Sequence, residues 1–251
     1  MVFQVMRPDQ VYRGMTYKDL IEEWWNWAYS EDPTPSNDTD PIFLSGNIES
    51  AITEENLGSD TPEAIARIND IYRPNPIDIT RDSAVFFPVC NTLFLINDKY
   101  HEQELKSLHE CKKFARMEFG SMSKAWATYI YQPPGRKNQK PKAVTAGGLW
   151  KNYIESSITL VGSKNNKMNR ESNYKLDEEP HEGADVGIYL LMRNFTPGRY
   201  TIDFGGISIK NNFFTRAVYT LNVDRESIAV KKRRGSNGSD ISGDMTKYQI
   251  P

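Results

Sequence analysis

The run Phe195-Thr196-Pro197-Gly198-Arg199-Tyr200-Thr201-Ile202-Asp203-Phe204-Gly205-Gly206 alternates as a strand does. Tyr200, Ile202 and Phe204 fall on one face and Thr201 and Asp203 on the other, the period of a half-buried strand. Pro197-Gly198 predicts a type II turn ahead of it, because proline presets the first corner and glycine accepts φ > 0 at the second. Gly205-Gly206 predicts a break. A partner strand follows at Phe213 to Val223, with Tyr219, Leu221 and Val223 on one face.

Upstream, Val186 to Met192 is almost wholly apolar, which predicts burial on both faces, and Tyr153 to Val161 alternates. Between these two lies a long polar loop, Gly162 to Pro180. Trp126 to Tyr131 reads as a strand entering a basic, proline-rich loop, Gln132 to Lys142. The most hydrophobic run is Ala84 to Ile96. Pro88 interrupts it, which predicts two strand pieces or an edge strand with a bulge, since proline cannot donate to a ladder. Ile42-Phe43-Leu44 is a short strand. Strands at hairpin spacing predict a mainly β fold, an antiparallel β-sandwich or jelly roll.

Two helices accompany the strands. Thr16 caps the first, Thr16 to Tyr29, with Asp19 in the capping-box position. Tyr17, Leu20, Ile21, Trp24 and Ala28 form its apolar stripe, flanked by Trp25 and Trp27. A second is predicted over Lys99 to Phe119, with Leu105, Leu108, Lys112 and Ala115 inward, and a short one over Pro62 to Tyr72 within an acidic, loop-like stretch at 46–82. The predicted core gathers Trp24, Trp25, Trp27, Phe86, Phe87, Tyr200, Phe204 and Tyr219. One β-rich domain over 1–223 is expected, followed by an extended tail over 224–251.

Composition narrows the class. At 251 residues, folding hides roughly three quarters of the unfolded surface, so a core forms without staples. A formal net charge of -2 gives no global attraction for nucleic acid or an anionic membrane. Cys90 and Cys111 are the only cysteines. They read as two reduced, buried thiols, with a single bridge left open. Met1 to Pro8 lacks the basic and apolar regions of a signal peptide, and no apolar stretch approaches the ~20 residues of a membrane span. A cytosol-like site of synthesis is expected.

Catalytic and metal motifs are not evident. His101 and His109 stand two turns apart on the predicted helix, too far for a zinc-binding i, i+4 pair, and His181 sits in a polar loop. Gly147-Gly148 and Gly205-Gly206 belong to no phosphate-binding pattern, and no nucleophile elbow occurs. Glu22/Glu23 and Glu178/Glu179 read as solvated carboxylates. A pair formed only in three dimensions stays open. Arg136, Lys137, Lys140 and Lys142 in the basic loop, and Lys231, Lys232, Arg233 and Arg234 in the tail, read as a hairpin and a docking tail rather than a nucleic-acid surface. The tail is too polar to order itself. A neighbouring subunit is expected to hold it, through Lys231 to Arg234 and Tyr248.

Three stretches carry a resemblance. Gly14-Met15-Thr16-Tyr17 with Glu23-Trp24-Trp25-Asn26-Trp27-Ala28 resembles the "G-x-T-Y … W-W-x-W-A" opening of a family of mostly secreted bacterial proteins with no assigned activity. Val85-Phe86-Phe87-Pro88-Val89-Cys90-Asn91-Thr92 resembles its "lFFPi-x-N" strand. Phe195 to Gly206, with Tyr219-Thr220-Leu221-Asn222-Val223, is similar to its "l-x-P-G-x-H-x-I-x-F-G-G … v-x-Y-x-L-x-V" finish. The pieces span 14 to 223. The chain departs from the pattern in lacking a secretion signal and a cysteine between the first two motifs, and in adding the basic tail. Those departures imply a copy put to another use, which a virus particle would fit. The family lends no catalytic residues.

The expectation is therefore a non-enzymatic structural or assembly protein, needing no cofactor. Its place would be a bacteriophage virion, as a capsid-decoration, minor capsid or tail protein made in the host cytoplasm, with other protein subunits as partners. A simply cytoplasmic protein is the alternative location. A carbohydrate- or ligand-binding β-sandwich using exposed Trp and Tyr is the alternative function, and an unrecognised hydrolase the third.

Overall fold

The computed structural model describes residues 2–36, 39–46, 74–97, 99–100, 103–135, 140, 142–145, 148–163, 176, 179–208, 210 and 213–224. The strands are β1 (Gln4–Val5), β2 (Ile42–Phe43), β3 (Ile77–Thr80), β4 (Val85–Leu95), β5 (Lys99–Tyr100), β6 (Gln103–Glu104), β7 (Lys124–Gln132), β8 (Lys142–Ala143), β9 (Tyr153–Val161), β10 (Pro180–Arg193), β11 (Gly198–Ser208) and β12 (Phe213–Asp224). The helices are α1 (Tyr17–Ala28) and α2 (Leu108–Gly120). The first sheet runs β1-β10-β4-β2, with β9 also on β10; the second runs β3-β12-β11-β7-β8; β5 and β6 pair apart.

Both main sheets are mixed. β2 lies parallel to β4, and β3 parallel to β12, beside otherwise antiparallel ladders. The predicted mainly β fold holds, with parallel margins that the expected all-antiparallel arrangement did not contain.

The sheets meet over one apolar layer. Phe87, Val186, Ile188 and Leu190 of the first pack with Tyr200, Ile202, Phe204, Tyr219 and Leu221 of the second. The Phe87 and Phe204 ring centroids lie 4.4 Å apart. The opposite face of the first sheet is buried too. Phe86, Tyr189 and Leu191 pack there under Tyr17, Leu20, Ile21, Trp24 and Trp25 of α1. The run Val186 to Met192 is buried throughout, as predicted, and the burial extends back to Gly183. Each large side chain so enclosed contributes about 1.5–3 kcal/mol.

Local chemistry explains the elements and several corrections. Thr16 caps α1, and Asp19 completes the reciprocal capping box. The second helix begins at Leu108, not Lys99: Ser107 caps it, and the residues ahead form the β5–β6 pair. Its inward residues are Cys111, Phe114, Ala115 and Phe119. Pro88 does not divide β4. β2 covers only Val85 and Phe86, so among the described residues β4 at Pro88 pairs with β10 alone, the edge with a bulge that the second reading expected. The strand runs through the proline, and the β4–β10 register shifts there, with Cys90 opposite Ile188 and Pro88 opposite Tyr189. The bulge absorbs the missing N–H.

Pro197-Gly198 is not a type II turn. Gly198 opens β11 at φ +148, and a Cβ there would meet Gln132 O at 2.6 Å. The segment 194–197 crosses between sheets. Gly205-Gly206 does not break β11 either. A Cβ on Gly206 would meet Cys90 Cβ at 2.8 Å, so glycine permits the sheets to approach. Cys90 and Cys111 are separate buried free thiols. The predicted helix at 62–72 lies outside the described residues.

Candidate functional site

The most unusual chemistry sits beneath α1. Asp185 has no exposed surface. Its carboxylate accepts from Tyr189 Oη at 2.7 Å, Trp25 Nε1 at 3.0 Å and Asn91 Nδ2 at 3.3 Å. Asn91 Nδ2 also donates to Tyr189 Oη at 2.9 Å. Burial pushes the carboxyl up to about 7, against the three hydrogen bonds, which favour its charged form. The buried Tyr189 phenol is raised well above its ordinary range by burial and then by Asp185. Such a perturbed acid is a catalytic candidate only if a substrate reaches it. Asp185 and Tyr189 are both wholly enclosed, and the donors around the carboxylate are the buried Tyr189 and Trp25 and the half-buried Asn91. The group orients α1 on the sheet.

The surface offers other chemistry. A short 3-10 turn, Leu149–Asn152, leads into β9 and holds Trp150 60% exposed. The indole packs edge-on against Phe119 of α2, centroids 6.0 Å apart, and Tyr153 flanks the same ring at 5.6 Å. Tyr153 Oη donates to Glu155 Oε1 at 2.8 Å, and Arg116 Nε donates to Glu155 Oε2 at 2.8 Å. The Arg116 hydrogen bond is the main cause holding the Glu155 carboxyl below its ordinary range. Trp, Tyr and Arg thus share one platform, with Trp150 supported from behind.

On the outer face of the second sheet, Trp126 Nε1 donates to Asp203 Oδ1 at 2.9 Å, and Arg216 grips the same carboxylate through Nε at 3.1 Å and Nη2 at 2.6 Å. The indole lies over Gly205, where a Cβ would meet it at 2.8 Å. A groove of about 1270 Å³ runs beside β1, bordered by Tyr129, Lys142, Val144, Lys151 and Asn152.

The predicted core residues divide between two layers. Phe87, Tyr200, Phe204 and Tyr219 lie between the sheets, while Trp24, Trp25 and Phe86 lie under α1. Trp27 is half-buried beside the α1 layer. Lys231 to Arg234, Tyr248, Arg136, Lys137 and His101 lie outside the described residues; Lys140 and Lys142 are exposed. Among the described residues, no three of His, Cys, Asp and Glu come together as a metal group, and no helix is long and apolar enough to cross a membrane. Asp185, Asn91 and Tyr189 were missed by sequence reasoning. Their signal was a lone carboxylate bordering an apolar strand, with Tyr189 four residues on and so on the same face. Comparison with protein-family models, curated proteins and solved structures finds no match.

Proposed function

We propose that the chain works by binding other protein subunits rather than by catalysis. Trp150 carries the proposal. A 60% exposed indole loses much water contact when covered, and here it is held rigid by Phe119 with Tyr153 and Arg116 alongside. Those residue types dominate interface energetics because they combine large apolar area with directional polar groups. The narrower proposal is a structural component of a virus particle, with which the sandwich architecture is compatible. Analytical ultracentrifugation of the purified chain tests the self-assembling form. Concentration-dependent association should weaken at least about tenfold in Trp150→Ala. A chain that stays monomeric, or a variant that associates equally well, overturns it.

Trp126 favours a second reading, carbohydrate binding. Its ring lies over Gly205 on a sheet face, beside a clamped carboxylate and guanidinium, a setting that suits a sugar's apolar face and hydroxyls. Glycan-array binding that is lost in Trp126→Ala would support it.

A further inference from the structure

The groove beside β1 contains an unused sheet edge. Met6 N donates to Leu191 O at 2.9 Å, and Thr196 N donates to Val2 O at 2.8 Å, while Gln4 stands opposite Arg193. In an antiparallel ladder, alternate residues turn their N–H and C=O to opposite sides. Gln4 and Met6 therefore serve β10, Val2 serves Thr196 just beyond it, and Phe3 and Val5 present theirs outward. Among the described residues, β1 pairs with β10 alone. The side chain of Phe3 stays in the inter-sheet core, 4.7 Å from the Tyr129 ring centroid, so this backbone is anchored from below.

Three further observations point to what could lie along that edge. Asn152 borders the groove at 5% exposure, and among the described residues its Nδ2 has no hydrogen-bond partner. A buried amide left this way costs about 1–3 kcal/mol, which an incoming carbonyl and a small turn of the side chain would recover. The groove's volume, about 1270 Å³, exceeds the roughly 300–1000 Å³ of small-molecule sites and suits an extended chain. Its charge is unbalanced: Arg7 pairs with Asp9 at 3.1 Å, leaving Lys142 and Lys151 at the border.

We propose that this groove binds an extended, acidic peptide segment of a partner protein, which adds as a strand to the open edge of β1 at Phe3 and Val5. Backbone pairing would supply affinity, and Lys142 and Lys151 would select for carboxylates. The chain's own run Lys231 to Arg234 would meet like charge there. The proposal shares with the previous one the idea that the partner is protein and the turn that carries Trp150 next to Lys151 and Asn152; Trp150 itself packs on Phe119 and does not border the groove.

Fluorescence anisotropy with the full chain tests it, using a short labelled peptide of alternating valine and glutamate as the probe. Binding is expected, and it should vanish when alternate peptide nitrogens along one edge are methylated. The paired change Lys142→Glu with Lys151→Glu lies on exposed side chains. It should weaken binding about tenfold, the scale of two rim charge pairs, and shift preference to a valine–lysine peptide. Val5→Pro removes an outward N–H without touching the β10 ladder and should also weaken binding; circular dichroism confirms its fold. Trp150→Ala should leave peptide binding unchanged, which separates failure here from failure of the aromatic interface. No binding by a folded chain, or equal binding by the methylated peptide, overturns the proposal.

Discussion

Both faces of the first sheet are buried, yet they are held by different physics. Toward the second sheet the contact at its centre is apolar and close, and the tips of Tyr200 and Tyr219 bond to Val2 O and Ser45 O in the flanking segments rather than across the sheets. Phe87 packs on Phe204, and Gly206 admits Cys90 where any side chain would collide. Toward α1 three large rings of the helix end in a polar tip with a fixed partner. Tyr17 Oη donates to Met6 O at 2.7 Å, Trp24 Nε1 to Leu44 O at 2.8 Å, and Trp25 Nε1 to Asp185. Hydrophobic burial is non-directional, so by itself it would tolerate a helix sliding or rotating on the sheet. Hydrogen bonds from the helix to fixed acceptors remove that freedom, because a misplaced helix would strand buried donors.

The largest expected effect lies on the apolar face. Phe87→Ala should cost about 3–5 kcal/mol, because neighbouring sheets collapse only partly into the space left. Urea denaturation should show a lower midpoint with an unchanged slope. A loss under about 1 kcal/mol would mean that the two sheets are not joined by close packing at this point.

The α1 face should instead answer to pH. The Asp185 carboxyl has an ordinary value of 3.8 and is pushed up to about 7 in the folded chain. Between those values folding takes up a proton. The stability linked to this group is therefore complete below about 3.8, and it is lost as pH rises toward 7, by at most about 1.4 kcal/mol per pH unit. Other carboxylates add their own slopes, so the measurement is a difference. Asp185→Asn keeps an acceptor for Trp25 and has no proton to exchange in this range. The two stability profiles from pH 4 to 8 should diverge, with the wild type losing ground relative to the variant as pH rises. Parallel profiles would remove Asp185 as the titrating group.

What the sequence disclosed follows the same division. Period and capping exposed whatever depends on neighbours along the chain. The reciprocal Thr16–Asp19 cap, the stripe of α1 and the bounds of β9 are all local patterns. Ser107 and Glu110 carried the corresponding signal for α2, and Ser107 marks its true start. The acceptor for Trp25 lies 160 residues away, so no window contains both. β1 and β3 are too short to display a period, and their partners are distant. The groove is bordered by β1, Tyr129 of β7, β8 and the turn before β9, which are far apart in sequence and meet only in the fold. The glycine pair illustrates the limit well: its composition suggests a break, but Gly206 is required by the approach of Cys90 on the other sheet, and Gly205 by Thr215 O and Trp126 of its own. Trp25 and Asn91, distant from each other in sequence, likewise meet only at Asp185.

The smallest effect sharpens the comparison at the margin of α1. Asn26, between the two buried tryptophans and Trp27, does not join the core. Its Oδ1 accepts from Val161 N at 2.9 Å, and its Nδ2 donates to Thr159 O at 3.2 Å. One amide thereby imitates the next strand and closes the outer edge of β9, which otherwise pairs only with β10 among the described residues. Asn26→Ala should cost only about 1 kcal/mol, since water can replace both bonds at this exposed site. Its larger consequence should be colloidal. An uncovered strand edge is a template for another chain, so the variant should aggregate sooner on mild heating than its small stability loss explains. Light scattering during a thermal ramp, compared with a Thr16→Ala variant of similar stability cost, reads that difference directly. Equal aggregation onset in the two variants would show that α1 positions the core but does not guard the sheet.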